Sequence, residues 1–313
     1  MYPATLTALE ASLGNPGAAI DIRNTFSLLE VPGTAFYVSS VTGNSGFDGL
    51  SKTTPLATLA QAMAKCTNAK GDVVYLLPGH AESVTVAAYL TWSKTGVSII
   101  GLGTGANRPT FTWTTVDTAQ IIISGANTYW TNCVFALAGV DAVVAAFSVT
   151  AADVTFDRCT FLLTDPTLTG TKMVILGILT AATALRFAVR NCVFFGARTA
   201  TGGAGNFTTA CIKHEVGTDF RFEDNVFSGK VTQHILNASA ILGGVITGNQ
   251  MIVATGTLAI ALHAGTLALV SNNRMAVAAG TTAMVGAGAY VVGNTAVVGQ
   301  FAAITSVTVF PLI

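Results

Sequence analysis

The chain has 313 residues with a formal net charge of zero; 51% of its residues are hydrophobic and only 10% are charged. This length is sufficient for a large buried core. A neutral chain lacks the basic face that nucleic-acid binding requires. The sequence also contains no run of about 20 apolar residues, which a membrane-spanning helix would need. We therefore expect neither a nucleic-acid partner nor a membrane partner.

The first residues do not share the pattern of the rest of the chain. Two Pro-Gly pairs mark turns within residues 1–35, and we interpret this segment as an N-terminal arm or cap before the main domain at residues 36–313. Such an arm anchors a subunit on a partner or on the first coil, and plain disorder is the alternative. We predict no secretory signal, because no basic start precedes an apolar stretch.

A strand, a turn and a helix are predicted next. Residues 36–38 read as a strand, and the Gly- and Asn-rich residues 43–49 form a turn. Thr54 and Pro55 are placed as the N-cap and first position of a helix that ends at residues 68–71. This helix would cover the open end of a stack of strands, where unpaired backbone groups invite aggregation.

Further strands are predicted at residues 73–77 and 97–101, and here a family resemblance emerges. It rests on residues 36–38, 48–51, 54–59 and 71–79. These segments resemble the entry to right-handed parallel β-helix proteins of the pectate-lyase-like superfamily, and the resemblance extends from Phe36 to the C-terminus. It implies a fold rather than an activity, because the superfamily includes polysaccharide lyases and hydrolases as well as phage tailspikes and other virion proteins.

One pattern then occurs seven times along the chain. A central residue, position zero, is flanked by apolar residues three before and two after it, and the positions zero are Cys133, Cys159, Cys192, Asn225, Asn249, Asn273 and Asn294. The flanks alternate with period two, as strands do. Repeats of 21 to 33 residues are too short for propeller blades. The sequence thus predicts an all-β, single-stranded, right-handed parallel β-helix (solenoid) of about nine coils with an N-terminal arm and a capping helix.

Charged residues recur at two offsets from position zero. Six before it stand Asp153, Arg186 and Asp219, and two before it stand Asp157, Arg190 and Glu223. Both rows run acid, base, acid. Coils of a β-helix stack about 4.8 Å apart, so opposite charges within a row attract each other. We expect two cross-coil charge ladders on a solvated surface, and an ionic site like that of a lyase is the alternative.

The two 33-residue repeats contain about nine extra residues each. We place these residues in loops at 164–184 and 198–217. Loops on a rigid scaffold often make contacts, so contacts with a partner or a sugar are one interpretation. Plain surface excursions are the other.

Five cysteines give no metal or disulfide pattern. They are Cys66, Cys133, Cys159, Cys192 and Cys211. Three of them stack one per coil and are interpreted as small buried hydrophobes. Single stacked cysteines lack the spacing of a tetrahedral zinc site, and no secreted disulfide framework is present. We predict no metal and no cofactor.

The best remaining catalytic constellation is Lys213, His214 and Glu215, with His234 and His263 in following coils. His214 lies eleven residues before its position zero and His263 ten before its own, so a shared face is one option, although the intervening coil has no matching histidine. Exposed or hydrogen-bonded histidines without a catalytic role are the alternative. An aspartate paired with arginine is held ionised and is a poor general acid. We assign no catalytic residue and favour a non-enzymatic function.

The segment at residues 231–313 contains a single charged residue, Arg274. A soluble surface usually carries many charges, so we expect this segment to contact sister chains of a homotrimer or a neighbouring protein. A neutral, hydrated surface is the alternative.

The arm, the non-secreted start and the neutral C-terminal half are together most similar to phage structural proteins. By this analogy the chain is expected to be a virion protein made in the host cytoplasm, a capsid decoration or head surface protein bound to the major capsid protein. The alternatives are a tailspike-like enzyme that degrades host polysaccharide and a β-helix protein that binds a host glycan without cleaving it.

Overall fold

The computed structural model describes residues 33–137, 142–162, 173–196, 206–215, 217–229, 231–253, 258–277, 284–286 and 288–298. In these ranges the chain forms 27 strands, one α-helix and one short 3-10 helix at Gly105–Asn107. Almost all of the predicted arm at 1–35 lies outside the described residues. No helix in the described part has the length and apolar character that crossing a bilayer requires.

The strands form three sheets. The first sheet contains β1 (Ala35–Val38), β2 (Val73–Leu76), β5 (Ser98–Gly101), β8 (Tyr129–Thr131), β11 (Thr155–Asp157), β14 (Ala188–Arg190), β17 (Arg221–Glu223), β20 (Leu242–Thr247), β23 (Leu267–Ser271) and β26 (Tyr290–Val292). The second contains β3 (Ala81–Val84), β6 (Thr110–Trp113), β9 (Val134–Ala136), β12 (Thr160–Leu162), β15 (Val193–Phe195), β18 (Val226–Gly229), β21 (Gln250–Val253), β24 (Arg274–Val277) and β27 (Thr295–Val298). The third contains β4 (Leu90–Trp92), β7 (Ile121–Ile123), β10 (Phe147–Val149), β13 (Met173–Thr180), β16 (Asn206–His214), β19 (Val231–Asn237), β22 (Leu258–Ala261) and β25 (Met284–Val285).

From β2 to β25 each coil visits the first, second and third sheets in turn, and each strand pairs in parallel with its equivalent in the next coil. The predicted parallel β-helix is therefore confirmed. The pairing also follows the predicted register, because the residues three before position zero, such as Trp130, Phe156 and Val189, are direct partners in the first sheet.

Aromatic side chains fill the interior of the stack. Trp92, Trp113 and Trp130 are fully buried. Phe161 and Phe194, which lie two residues after their positions zero, stack with ring centroids 4.3 Å apart. Each buried aromatic side chain removes a large apolar area from water, so the inward rows that repeat in the sequence supply the core.

A two-residue bend joins the first sheet to the second in every coil from β8 onward. The first bend residue has a left-handed backbone, as in Asn132 (φ 58°), Arg158 (φ 51°) and Asn191 (φ 54°), and the second is the inward position zero. Asn, Asp and Gly adopt this conformation at the lowest steric cost. The bend explains why two residues, and not one, separate the inward residue three before position zero from position zero itself.

The capping helix begins four residues later than predicted. The helix α1 spans Leu59–Lys65, with Thr58 as its N-cap. The hydroxyl of Thr58 accepts a hydrogen bond from the Gln61 amide, and the Gln61 side chain accepts one from Thr58. This capping box favours Thr58 over Thr54, so the prediction of Thr54 and Pro55 as the start and of residues 68–71 as the end was wrong.

Where the structure describes the predicted loops at 164–184 and 198–217, most of the residues form strands. β13 and β16 have eight and nine residues, longer than the three residues of β10, and their pairing contains a register shift. The extra residues of these repeats therefore lengthen the third sheet. The glycine-rich residues 202–205 lie outside the described residues.

Candidate functional site

The position-zero row forms a continuous hydrogen-bonded column, which we call the asparagine ladder, along its C-terminal part. The Asn249 Oδ1 atom accepts from the backbone amide and the Nδ2 atom of Asn225, at 2.9 and 3.0 Å. The Asn249 Nδ2 atom donates to the Phe222 carbonyl and to Asn273 Oδ1, both at 2.8 Å. Asn273 repeats this arrangement with Asn294. The ladder therefore satisfies buried polar groups from one coil to the next.

Cysteines continue the same column towards the N-terminus. The Cys192 amide donates to Asn225 Oδ1 at 2.9 Å, and the Cys159 amide approaches Cys192 Sγ at 3.4 Å. The thiol of Cys159 points to the Trp130 carbonyl at 3.8 Å, the contact that Asn225 Nδ2 makes with Val189. Burial raises the pKa of the Cys192 thiol, so it is protonated and a weak hydrogen-bond partner.

The first charge row is paired at one step. Arg186 donates from Nε and Nη2 to the two carboxylate oxygens of Asp153, each at 2.6 Å. These hydrogen bonds hold the pKa of Asp153 below its ordinary value. Asp219 adds a weaker charge attraction to Arg186. Asp153, Arg186 and Asp219 also have left-handed backbones, so the row marks a second bend position as well as an ion pair.

In the second charge row, Asp157 makes most of the hydrogen bonds and ion pairs. It is 5% exposed and accepts hydrogen bonds from Tyr129, Asn191 and Arg158 at 2.5, 2.9 and 3.1 Å. Arg190 Nε lies 3.8 Å from its carboxylate. Burial raises the pKa of Asp157, but these donors and the two guanidinium charges outweigh burial and lower it.

Glu223, the third member of that row, pairs with Arg221 on its own strand at 3.3 Å, while Arg190 faces it in the register of the first sheet. The two rows are thus ion-paired at their first step. At the second step Glu223 has a competing partner two residues away.

A groove of about 610 Å³ lies beside the bends of the middle coils. Its lining includes the hydrogen-bonding side chains of Arg108, Asn132, Arg158 and Asn191. Arg108 crosses the groove floor, donating to Thr160 Oγ1 at 2.9 Å and to the Arg158 carbonyl at 2.8 Å. Arg158 has a 66% exposed side chain. The groove can therefore offer exposed donors to a polar or anionic group.

The histidines do not form a catalytic constellation. His214 is fully buried, with Nδ1 2.6 Å from Thr180 Oγ1, while Lys213 and Glu215 form an ion pair with each other. His234 is also buried, with Nε2 3.3 Å from the Ile252 carbonyl. His263 is exposed.

The expectation that His214 and His263 share a face was therefore wrong, because His214 ends an inward row of the third sheet. Burial lowers the pKa of His214 to about 4 and that of His234 to about 3. Both are neutral at physiological pH.

Two buried carboxylates, those of Glu82 and Asp72, were not predicted from the sequence. Glu82 accepts from the Leu59 amide at 2.5 Å and from the Tyr89 hydroxyl at 3.0 Å, which ties α1 to the stack. Asp72 accepts from the amides of Thr34 and Thr67, both at 2.6 Å. Acidic residues inside or beside apolar strands were the available signal.

Large apolar side chains are exposed on the last three strands of the first sheet. They are Leu242, Leu267, Leu269, Tyr290 and Val292, with exposed fractions of 42–62%. We call this set the apolar strip. Leu242 is paired with Leu267, and Leu269 with Tyr290, so the set is continuous from coil to coil.

Distant similarities to solved structures are what the comparisons with known proteins give. No family model and no curated protein matches the chain. A solved structure described as rhamnogalacturonan lyase is similar at 11% identity over 80% of this chain and 75% of that one, with a TM-score of 0.39. A GH136 lacto-N-biosidase from Eubacterium ramulus is similar at 11% identity over 89% and 70%, with a TM-score of 0.37. Identities this low transfer no activity to this chain.

Proposed function

We propose that this protein is a non-enzymatic structural component of a phage particle, a homotrimeric decoration protein on the surface of the head. The observation that carries the proposal is the apolar strip. It lies in the segment at residues 231–313, where Arg274 is the single charged residue. A contiguous exposed apolar surface of this kind marks an interaction site.

The described chemistry supports a mechanical role. The asparagine ladder, the aromatic core and the parallel sheets make a rigid prism, and the buried asparagines of the ladder use their polar groups in structural hydrogen bonds. Asp157, the most buried member of the two charge rows, accepts three hydrogen bonds. Its lowered pKa makes it a poor general acid.

Immunogold labelling of phage particles tests this function directly. An antibody raised against the purified chain is applied to particles from the source culture, with particles of an unrelated phage as the control. The proposal expects regularly spaced label on the head surface. Protein that is found only in the soluble fraction of the lysate, with unlabelled particles, would contradict it.

A glycan-binding protein is the second candidate, and the groove favours it. Arg158, whose side chain is 66% exposed, lines a groove large enough for a sugar unit. Calorimetric titration with host polysaccharide fragments, compared between the wild type and Arg158→Ala, tests binding. A parallel assay for released reducing ends separates binding from the tailspike-like cleavage.

A further inference from the structure

The apolar strip differs from the rest of the same sheet face. In the middle coils this face presents Tyr129, Asp157, Arg190 and Glu223. In the last coils it presents the strip residues defined above. The change begins at β20 and β23, which are interior strands of one continuous sheet, so an edge position does not explain it. Single exposed apolar residues are ordinary, whereas five in one contiguous set are not.

We propose that the apolar strip is a homotypic interface, covered in the homotrimer by the same strips of the sister copies of this chain. The inference rests on the proposed function in so far as it names the surface through which the subunits associate. It commits to β20, β23 and β26 of the first sheet, and it leaves the second and third sheets free for other contacts.

Charge favours a second copy as the occupant. Arg274, the single charged residue of the segment, lies on β24 in the second sheet and not on the strip face. Two copies that meet through their strips therefore bring no like charges together. An acidic or basic partner would gain no ion pair on this face, while a second copy buries apolar area on both sides.

The chain supplies a matched control for the test. Leu269 is 42% exposed on the strip, and Ile252 is 47% exposed on β21 of the second sheet, one coil earlier. Lysine at either position points to solvent in the isolated chain, so both variants should keep the circular dichroism spectrum of the wild type. Only Leu269→Lys places a charge inside the proposed interface.

Light scattering coupled to size exclusion measures the outcome. We expect the wild type and Ile252→Lys to have the mass of a homotrimer, three times the 32.0 kDa of one chain. Leu269→Lys should have the mass of a single chain at the same concentration, because association weakens by about a hundredfold or more. Val292→Lys, on the last strand of the strip and 60% exposed, replaces Leu269→Lys if that variant does not fold.

Two results would overturn the interface. One is a wild type that stays at 32.0 kDa at the highest soluble concentration. The other is an oligomer that survives both strip substitutions. The labelling experiment separates this inference from the proposed function. An oligomer that breaks at Leu269 but labels no particle keeps the interface and refutes the virion role, and a monomer found on particles does the reverse.

Discussion

Replacing Asn249 by alanine should destabilise the fold by about 2 to 6 kcal/mol. The substitution removes the acceptor of the Asn225 amide and the donor to the Phe222 carbonyl, both in the buried part of the bend. It also removes the side-chain link to Asn273. A buried polar group left without its partner costs about 1 to 3 kcal/mol, and two such groups set the estimate.

Asn294→Ala is the matched control, because Asn294 is the last described member of the ladder. It accepts from the Asn273 amide and side chain at 2.8 Å each, so the number of lost acceptor contacts is similar. Its site is only partly buried, and water can replace the lost oxygen. We expect a loss of about 1 kcal/mol.

Urea unfolding followed by far-ultraviolet circular dichroism measures both variants. The transition midpoints are comparable only if the slopes agree, since stacked repeats can lose cooperativity. Equal losses for Asn249→Ala and Asn294→Ala would refute the reasoning. In that case the buried hydrogen bonds of the ladder would contribute no more than exposed ones.

Three further predictions concern the same stack. Arg186→Glu should lower the melting temperature by an amount equivalent to about 1 kcal/mol, because it replaces a bidentate partner of Asp153 by a like charge; an unchanged melting temperature would count against the charge ladder. Cys192→Asn should stay within about 1 kcal/mol of the wild type in urea, since an amide there extends the asparagine ladder, and a loss as large as that of Asn249→Ala would contradict this. Stability should fall as the pH drops from 6.5 towards 4, because the unfolded chain binds a proton that buried His214, with its pKa lowered to about 4, does not. The contribution of His214 is about 3 kcal/mol, and buried His234, with its pKa lowered to about 3, adds its own; His214→Phe should therefore make the dependence shallower in urea titrations at several pH values, and a variant as acid-sensitive as the wild type would refute the assignment.

The inward positions could be predicted from the sequence because they repeat. A residue three before position zero must be apolar in every coil, as Trp130, Phe156 and Val189 are, and the pairing of successive coils then follows by alignment. The strands predicted separately at residues 36–38, 73–77 and 97–101 agree with β1, β2 and β5 to within one residue at each end. The regular spacing of the inward positions was therefore sufficient to predict the fold.

The bend positions were visible in the sequence but were interpreted only as charges. Asp153, Arg186 and Asp219 occupy a left-handed backbone position in successive coils. Asn127 and Gly243 hold the equivalent position in neighbouring coils, and residues of these types point to backbone conformation as the common cause. Charge pairing is a second constraint on this row, satisfied fully between Asp153 and Arg186.

Contacts that skip repeats could not be predicted from spacing. Arg108 reaches the Cys133 carbonyl and, one coil further, Thr160, which requires the path of the chain between β5 and β6. The third sheet posed the same difficulty, because β13 and β16 vary in length. The inward direction of His214 follows from its pairing with Thr180 and Asn237, and that pairing contains a shift that the sequence does not reveal.

The inward-facing residues of this protein are determined by the fold, whereas the outward-facing residues reflect what the surface contacts. Inward rows must satisfy the same packing and hydrogen-bond demands in every coil, so they repeat. Outward rows meet only water or a partner, so they change from coil to coil as their surroundings change. The loss of charge after residue 231 was visible in the sequence, but only the register shows that Leu269, Tyr290 and Val292 fall on one face. An apolar outward row in three successive coils is a local departure that the fold does not require, and contact with another molecule is the physical reason we assign to it.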